Sequence, residues 1–166
     1  GFYDDDKEKK GTFINGSKVI GSFTQLHQDD ILNQNFIVAI GNNFIRYKIM
    51  SEILKLGGNI PTLIHPEAIV SPSSKIGKGV YIHANSYIWT NVELGDFTII
   101  SPNTVIAHHS ILGKACFVST QSAVGASILL EDRVFIGMGS TIVTGVKKVG
   151  ENTTIGAGAT LIRDAE

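Results

Sequence analysis

The sequence predicts a mainly β protein, in which a left-handed parallel β-helix of hexapeptide repeats follows a small Rossmann-like α/β domain. Two observations predict this fold. An aliphatic residue recurs at every sixth position from residue 64 to residue 142, and the chain contains 18 glycines. A fixed period of six is typical of β-helices in which each hexapeptide forms one flat side of a coil.

The hexapeptide repeat runs without a break through fourteen positions, after which the frame slips by one residue and resumes at Val149, Ile155 and Leu161. A β-sandwich would instead give a period of two within short strands. The unbroken period therefore predicts coils with three sides. The aliphatic positions are Ile64, Val70, Ile76, Ile82, Ile88, Leu94, Ile100, Ile106, Leu112, Val118, Val124, Leu130, Ile136 and Ile142.

A small or β-branched residue follows each aliphatic position by four residues and is predicted to fit a crowded corner of the coil. Cys116 takes one of these places, so we predict that it packs in the core and is not a nucleophile. Gly77, Gly95 and Gly113 are spaced by 18 residues and are predicted to stack at turns that need a positive φ. Lys147-Lys148, at the frame slip, predict a protruding loop.

The chain is predicted to divide into a nucleotide-sugar-binding domain at residues 1–60 and the β-helix at residues 61–166. Val19-Ile20 and residues 36–40 are predicted strands. Ile45, Ile49, Ile53 and Leu56 then recur at helical spacing, between an Asn suited to the N-cap and Gly57-Gly58 at the end. No glycine-rich first strand precedes these elements, so we expect the sequence to begin one βα unit late.

Polar residues lie where a nucleotide would bind such an α/β unit. Anions bind near helix N-termini at the carboxyl ends of strands, which favours the segment from Gly41 to Arg46. A plain βα turn is the alternative. Asp4, Asp5 and Asp6 could accept hydrogen bonds from a nucleoside, or they could form a solvated loop.

The composition excludes several classes of partner. The formal net charge of -1, without a basic stripe, gives no electrostatic case for nucleic acid or an anionic membrane surface. No apolar run approaches the roughly 20 residues of a membrane helix, and no signal peptide opens the chain. The single cysteine suits a reducing compartment, so we expect a soluble cytoplasmic protein.

His108 and His109 occupy the turn of their hexapeptide, where both side chains can point outward. A neutral imidazole has a pKa near 6.5 and can remove a proton from an attacking amine. Direct attack on a thioester would then need no serine or cysteine nucleophile. The alternatives are a solvated or stacked pair, or a metal site on a trimer axis.

With these elements placed, the chain resembles the bacterial nucleotide-sugar acyltransferases. That family includes the UDP-4-amino-sugar N-acetyltransferases of bacillosamine biosynthesis and the sialic acid O-acetyltransferases. The resemblance rests on five motifs: Phe2-Tyr3-Asp4-Asp5, Ala39-Ile40-Gly41-Asn42-Asn43 with Arg46, Leu63-Ile64-His65-Pro66, Val105-Ile106-Ala107-His108, and Gly156-Ala157-Gly158-Ala159-Thr160.

The resemblance implies an acetyl-CoA-dependent enzyme, without a metal, whose active sites lie between the subunits of a homotrimer. His108 would be the general base, beside His109. The nucleotide sugar would face Asp4, Asp5, Gly41, Asn42, Asn43 and Arg46. Acetyl-CoA would lie against Phe117, Gly125, Met138 and Ala157.

Two positions depart from the family pattern. His109 stands where an acid often follows the base, and Phe117 stands where another member has a coenzyme-contacting histidine. We predict N-acetylation of the 4-amino group of a UDP-linked amino-deoxy sugar. Sugar O-acetylation on the same scaffold, or a non-catalytic trimeric β-helix that binds nucleotide sugars, are the alternatives.

Overall fold

The computed structural model describes residues 1–166 and confirms a mainly β protein with a small α/β region at its start. The first region contains β1 (Phe2–Tyr3), a 3-10 turn (Lys7–Lys9), β2 (Phe13–Ile14), β3 (Ser17–Gly21), α1 (Phe23–Leu26) and α2 (Asn43–Lys55). The remaining strands have two residues each: β4 (Leu63–Ile64), β5 (Ile69–Val70), β6 (Lys75–Ile76), β7 (Tyr81–Ile82), β8 (Tyr87–Ile88), β9 (Glu93–Leu94), β10 (Ile99–Ile100), β11 (Val105–Ile106), β12 (Ile111–Leu112), β13 (Phe117–Val118), β14 (Ala123–Val124), β15 (Leu129–Leu130), β16 (Phe135–Ile136), β17 (Thr141–Ile142), β18 (Lys148–Val149), β19 (Thr154–Ile155) and β20 (Thr160–Leu161).

The short strands build the predicted left-handed β-helix, whose coils each contribute one strand to each of three parallel sheets. The first face contains β4, β7, β10, β13, β16 and β19; the second contains β5, β8, β11, β14, β17 and β20; the third contains β6, β9, β12, β15 and β18. Ile99 pairs with both Tyr81 and Phe117, a step of 18 residues. At the frame slip the step becomes 19 residues, because Leu129 pairs with Lys148. Lys148 is thus part of a strand and not of the protruding loop that the sequence predicted.

The aliphatic positions fill the interior of the coils, as predicted. Ile88, Ile100 and Ile106 are fully buried. Serine and threonine at the corner positions are buried with them, and each hydroxyl donates to a carbonyl of the next coil, as Ser110 does to Gly125 at 2.7 Å. The end coils are the exception, because each has a neighbour on one side only: Ile64 is 46% exposed, and Val70, Ile76 and Leu161 are partly buried.

From Ile76 to Gly158, each turn between two faces contains a residue with a positive φ, but this residue is not one of the predicted glycines, Gly77, Gly95 and Gly113. The left-handed place is three residues after each aliphatic position from Ile76 to Ile155, and His109 occupies one with a φ of 60°. The glycine at position 113 is needed for a different reason: a Cβ there would lie 2.5 Å from Asp132 Oδ1 and 2.7 Å from Asp132 N. Close approach of successive coils, not positive φ, therefore explains the column of Gly77, Gly95 and Gly113.

The first region packs against the outer surface of the first face. Its small sheet has the order β1-β3-β2, which confirms the strand at Val19-Ile20. The strand predicted at residues 36–40 does not form. The segment makes one parallel bridge, between Asn35 and Asn59, and the amide of Val38 donates to the hydroxyl of Tyr81 instead of to a neighbouring strand.

Helix α2 forms as predicted, and the face it buries overlaps the predicted one, since Ile53 is buried and Ile49 and Leu56 pack against the same core. Asn42 is its N-cap and accepts a hydrogen bond from the amide of Ile45 at 3.0 Å. The buried residues are Arg46, Met50 and Ile53, whereas Ile45 is 46% exposed. Neither helix has the length and apolar character needed to cross a bilayer.

Candidate active site

The predicted site residues lie on different corners of the triangular β-helix. The corner between the second and third faces holds the two histidines. The corner between the third and first faces lies under the loop that begins at Gly41. The corner between the first and second faces holds Met138 and Ala157. Within one chain, these groups therefore lie on separate edges.

The histidine pair is held in an ordered arrangement. His108 is half-buried and His109 is exposed, and their Nδ1 atoms are 3.0 Å apart. The left-handed backbone at His109 turns its ring edge-on to that of His108, at 86° between planes. Trp89 lies on the other side of His108, with ring centroids 6.0 Å apart. The Nδ2 atom of Asn91 lies 3.1 Å from Nε2 of His109.

A cavity of about 370 Å³ adjoins this pair. It is lined by Ser73, Lys75, Asn91, Glu93, His109 and Ile111. Lys75 and Glu93 form an ion pair with each other at 2.6 Å. His109 is thus the one titratable group lining this cavity that forms no ion pair.

A second cavity, of about 350 Å³, lies where the first region meets the β-helix. It is lined by Gly41, Asn42, Asn43, Phe44, Arg133, Phe135, Asn152 and Thr154. The structure therefore brings together three of the predicted substrate residues, Gly41, Asn42 and Asn43. The side chain of Asn43 is already engaged, because its Nδ2 donates to the carbonyls of Arg133 and Val134 at 3.0 and 3.1 Å.

Arg46 does not face a ligand, which corrects the prediction that it contacts the nucleotide sugar. Its side chain is fully buried. The guanidinium donates to the Oδ1 of Asn43 and to backbone carbonyls of both regions, namely those of Ile40, Gly41, Phe97, Ala115 and Cys116. Burial lowers the pKa of Arg46 to about 10, far enough above neutrality that the group stays charged. Arg46 therefore joins the two regions.

Asp4 and Asp5 do not line the second cavity. Asp4 pairs with Lys9 at 2.9 Å, and the hydrogen bond from Lys9 lowers the pKa of the Asp4 carboxyl. Asp5 accepts a hydrogen bond from the amide of Phe23 at 2.8 Å and so holds the start of α1. Both carboxylates have local partners, and a nucleotide contact by either remains a prediction.

The predicted coenzyme residues fall into three places. Met138 and Ala157 stack on the corner between the first and second faces, and neither backbone N–H has an acceptor within the chain. Gly125 lies on the histidine corner, one coil beyond Ala107. Phe117 lies on the first face, where it stacks on Phe135 with centroids 5.4 Å apart and lies 5.5 Å under the guanidinium of Arg46. Phe117 is thus engaged with the first region and remote from the histidine corner of its own chain.

The cysteine behaves as predicted. Cys116 is fully buried and its Sγ donates to the carbonyl of Glu131 at 3.1 Å. Burial raises the pKa of its thiol to about 12, so the thiolate needed for nucleophilic attack is not available. No group of three or more His, Cys, Asp or Glu side chains is arranged to hold a metal ion.

Three residues of these corners escaped the sequence analysis. Asn91 precedes His109 by 18 residues, so the period of one coil was the signal that could have found it. Trp89, the only tryptophan, occupies a turn position at which the neighbouring coils of the same corner carry the small residues Ser71 and Ala107. Arg133 lines the second cavity with its guanidinium paired to Glu151 and hydrogen-bonded to Asn152 at 2.9 Å, and no sequence pattern marked it.

Comparisons with known proteins match both regions of the chain. Residues 1–53 match the family described as PglD N-terminal domain, and residues 73–108 match the family described as bacterial transferase hexapeptide (six repeats). A UDP-N-acetylbacillosamine N-acetyltransferase of Bacillus subtilis (strain 168) is 52% identical over 50 residues, which are 30% of this chain and 23% of that protein. The chain spans between 19% and 61% of the length of the curated relatives it matches.

Two solved structures are similar over nearly the whole chain. PerB from Caulobacter crescentus, in complex with CoA and GDP-perosamine, is 32% identical with a TM-score of 0.84, over 92% of this chain and 73% of that one. The acetyltransferase domain of PglB from Neisseria gonorrhoeae FA1090 is 31% identical with a TM-score of 0.90, over 99% of this chain and 79% of that one. The likeness covers both the first region and the β-helix.

Proposed function

Because this chain belongs to the family of hexapeptide-repeat nucleotide-sugar N-acetyltransferases, we propose that it transfers an acetyl group from acetyl-CoA to the amino group of a nucleotide-linked amino-deoxy sugar. The observation that carries the proposal is the ordered pair of His108 and His109 on an open corner of the β-helix. The 4-amino group of a UDP-linked sugar is the proposed acceptor, and the name of the Bacillus relative, UDP-N-acetylbacillosamine N-acetyltransferase, supports a UDP-linked sugar.

In the proposed reaction His108 is the general base. The sugar amine attacks the thioester carbonyl, and His108 takes the proton that the nitrogen loses as the amide forms. The thiolate of CoA leaves as the tetrahedral intermediate collapses. A base of this kind typically contributes about 10²- to 10⁴-fold to the rate. Cys116 is excluded as a covalent intermediate by its burial, which favours direct attack.

Two other corners fit the remaining parts of the substrates. The loop from Gly41 to Asn43 precedes α2, whose N-terminus favours a phosphate. Phe44, 65% exposed beside it, offers an aromatic surface to a base or sugar. On the corner between the first and second faces, the free N–H groups of Met138 and Ala157 offer donors to the amide carbonyls of an extended coenzyme.

These parts lie on separate edges of one chain, so we propose that the active site forms between subunits of a homotrimer. A ring of three copies would bring the histidine corner of one subunit to the nucleotide loop and first face of its neighbour. This arrangement also accounts for Phe117, which is remote from His108 of its own chain. In a neighbouring subunit, Phe117 would pack near the coenzyme without donating a hydrogen bond.

Release of free thiol from acetyl-CoA tests the proposal. We expect release with a UDP-linked 4-amino sugar as acceptor, and we expect His108→Ala to lower kcat by about 10²-fold or more while the protein keeps its fold. His65→Ala is the matched control, because His65 lies on another corner. Thiol release with hydroxyl sugars alone would indicate an O-acetyltransferase, and binding without release would contradict the enzymatic proposal. Full turnover by His108→Ala would remove the base assignment.

A further inference from the structure

His109 stands where an acid would orient the base, and its contacts show how the corner works without one. The three side chains form a chain of contacts: Asn91 Nδ2 to His109 Nε2 at 3.1 Å, then His109 Nδ1 to His108 Nδ1 at 3.0 Å. We propose that His109 and Asn91 are positioning residues that hold the proton of His108 on Nδ1 and so leave its Nε2 free as the base. The inference rests on the function proposed above and deepens it.

The direction of the two hydrogen bonds among Asn91, His109 and His108 decides which nitrogen of His108 carries a proton. A neutral imidazole carries one N–H, so one ring nitrogen donates and the other accepts. If the Nδ2 of Asn91 donates to His109, then His109 donates from Nδ1 and His108 must carry its proton on Nε2. In that state the outward nitrogen of His108 is a donor and cannot take a proton from an amine.

Rotation of the Asn91 carboxamide can reverse the direction of both hydrogen bonds while the two imidazole rings stay in place. Rotation by 180° about its Cβ–Cγ bond brings Oδ1 to the position of Nδ2, where it accepts from Nε2–H of His109. The Nδ1 atom of His109 then accepts from Nδ1–H of His108, and the Nε2 of His108 presents its lone pair. The orientation of one amide therefore sets the base-ready state.

The relay also accounts for the charge that forms during the reaction. When Nε2 of His108 takes the substrate proton, the ring becomes an imidazolium whose Nδ1–H points at His109. That proton can pass to Nδ1 of His109, which leaves the positive charge on His109 with its Nε2–H held by the oxygen of Asn91. The two rings together gain the one proton that the substrate amine loses, so protons and charge balance.

The surroundings support the relay rather than a solvated pair. Trp89 packs beside His108, with ring centroids 6.0 Å apart and 34° between the ring planes. The only other titratable groups lining the cavity at His109 are Lys75 and Glu93 of the third face, and they pair with each other. The backbone of Asn91 is held in place, because its main-chain N–H donates to the Oγ of Ser73 at 3.1 Å.

Variants of Asn91 separate a relay from a merely structural role. Asn91→Ala breaks the contact with His109, and we expect kcat to fall about tenfold with the KM for acetyl-CoA unchanged. The loss should be smaller than the about 10²- to 10⁴-fold that the base itself contributes, because His108 remains in place. Asn91→Asp can only accept, so it should keep activity. Its negative charge stabilises the imidazolium, so the rising limb of the kcat–pH profile should move to higher pH. Asn85→Ala is the control for strain, because Asn85 has the same left-handed φ of 57° on another corner.

The tautomer can be observed without turnover, by ¹⁵N NMR of histidine-labelled protein. We expect His108 to carry its proton on Nδ1 in the wild type and to lose that preference in Asn91→Ala. Equal kcat losses in Asn91→Ala and Asn85→Ala, an unchanged pH profile in Asn91→Asp, or an Nε2–H tautomer for His108 would each overturn the relay. If His108→Ala loses thiol release and the Asn91 variants do not, the proposed function stands and the relay is wrong. Full turnover by His108→Ala would instead remove the base assignment on which the relay depends.

Discussion

The guanidinium of Arg46 on α2 lies 2.8 Å from the carbonyl oxygen of Ala115, which belongs to a turn of the β-helix. The same side chain reaches the carbonyls of Ile40 and Gly41 in its own region. One buried cation therefore links the start of the loop at Gly41 to two coils of the β-helix. The position of that loop over the first face depends on this link.

Arg46→Met should loosen the first region more than the β-helix. Hydrogen bonds to a charged group contribute about 1.5–3 kcal/mol each, and several buried carbonyls would lose their donor. We expect a loss of about 3 kcal/mol or more in the stability of the first region, measured by amide hydrogen exchange of α2. Arg163→Met is the control, because Arg163 is exposed and should change stability by less than about 0.5 kcal/mol. Equal protection of α2 in both variants would contradict the link.

Cys116 should not react with thiol reagents in the folded protein. Its pKa of about 12 keeps the thiol protonated at pH 8, and the Sγ is enclosed within the β-helix. Ellman's reagent should therefore find no reactive thiol in native protein and one in denaturant. Lys147→Cys, which adds an exposed thiol, should give one thiol when native and two when unfolded. Labelling of native wild-type protein would show that the coils open.

Much of the fold was predictable because the β-helix repeats one local rule. Each aliphatic position faces the interior, and each corner position, such as Ser110, is small enough to be enclosed there. The strand predicted at residues 36–40 was wrong because a strand needs a partner, and a single sequence window does not show whether one lies alongside. The local sequence around Gly113 also could not show why a glycine is needed there, since the atoms that exclude a Cβ belong to the next coil.

The site was predicted less completely, because its contacts join residues that are distant in sequence. Asparagine and arginine near a helix N-terminus suggested ligand contacts for both Asn43 and Arg46. Burial decides otherwise for Arg46, and burial depends on how α2 packs on the β-helix. Asn91 is one coil away from His109, so only the three-dimensional repeat places the two side chains together.

Gly113→Ala should destabilise the β-helix. The added Cβ would meet backbone and side-chain atoms of Asp132 at 2.5–2.7 Å, so two coils would have to move apart. We expect a loss of about 1–3 kcal/mol in the free energy of unfolding, measured by denaturant titration. Gly156→Ala is the matched control, because it has the same place in its hexapeptide but no atom within 4 Å of the new Cβ. Similar effects of the two substitutions would disprove the close-approach argument.

Asp164 should make the last coil sensitive to acid. Its Oδ1 accepts from the amides of Lys147 at 2.7 Å and Lys148 at 3.2 Å, and these bonds lower the pKa of the carboxyl below 3.8. A lowered pKa means that the stabilisation is fully present above pH 3.8 and is lost as the pH falls through the folded-state pKa. The protection of the Lys147 and Lys148 amides from hydrogen exchange, relative to unstructured amides at the same pH, should therefore fall in acid. In Asp164→Ala the low protection should already be present at neutral pH, and unchanged protection there would refute the prediction.

Mixed trimers should recover activity if the active site is shared between subunits. His108→Ala removes the base, and Gly41→Asp places a negative charge at the rim of the second cavity, where an added Cβ meets no atom within 4 Å. Each variant alone should be inactive, because every one of its sites lacks a part. In a ring with heterologous contacts, each site takes its histidine from one subunit and its nucleotide loop from the next.

Random mixing of the two variants in equal amounts would give a complete site at about one contact in four, and so about a quarter of wild-type thiol release. The two variants, His108→Ala and Gly41→Asp, must be co-expressed or refolded together, because subunits that do not exchange cannot form mixed rings. A trimer that carries both substitutions in every chain is the control for background. If mixed trimers form and remain as inactive as that control, each subunit must build its site alone, and the proposal of a site shared between subunits would be wrong.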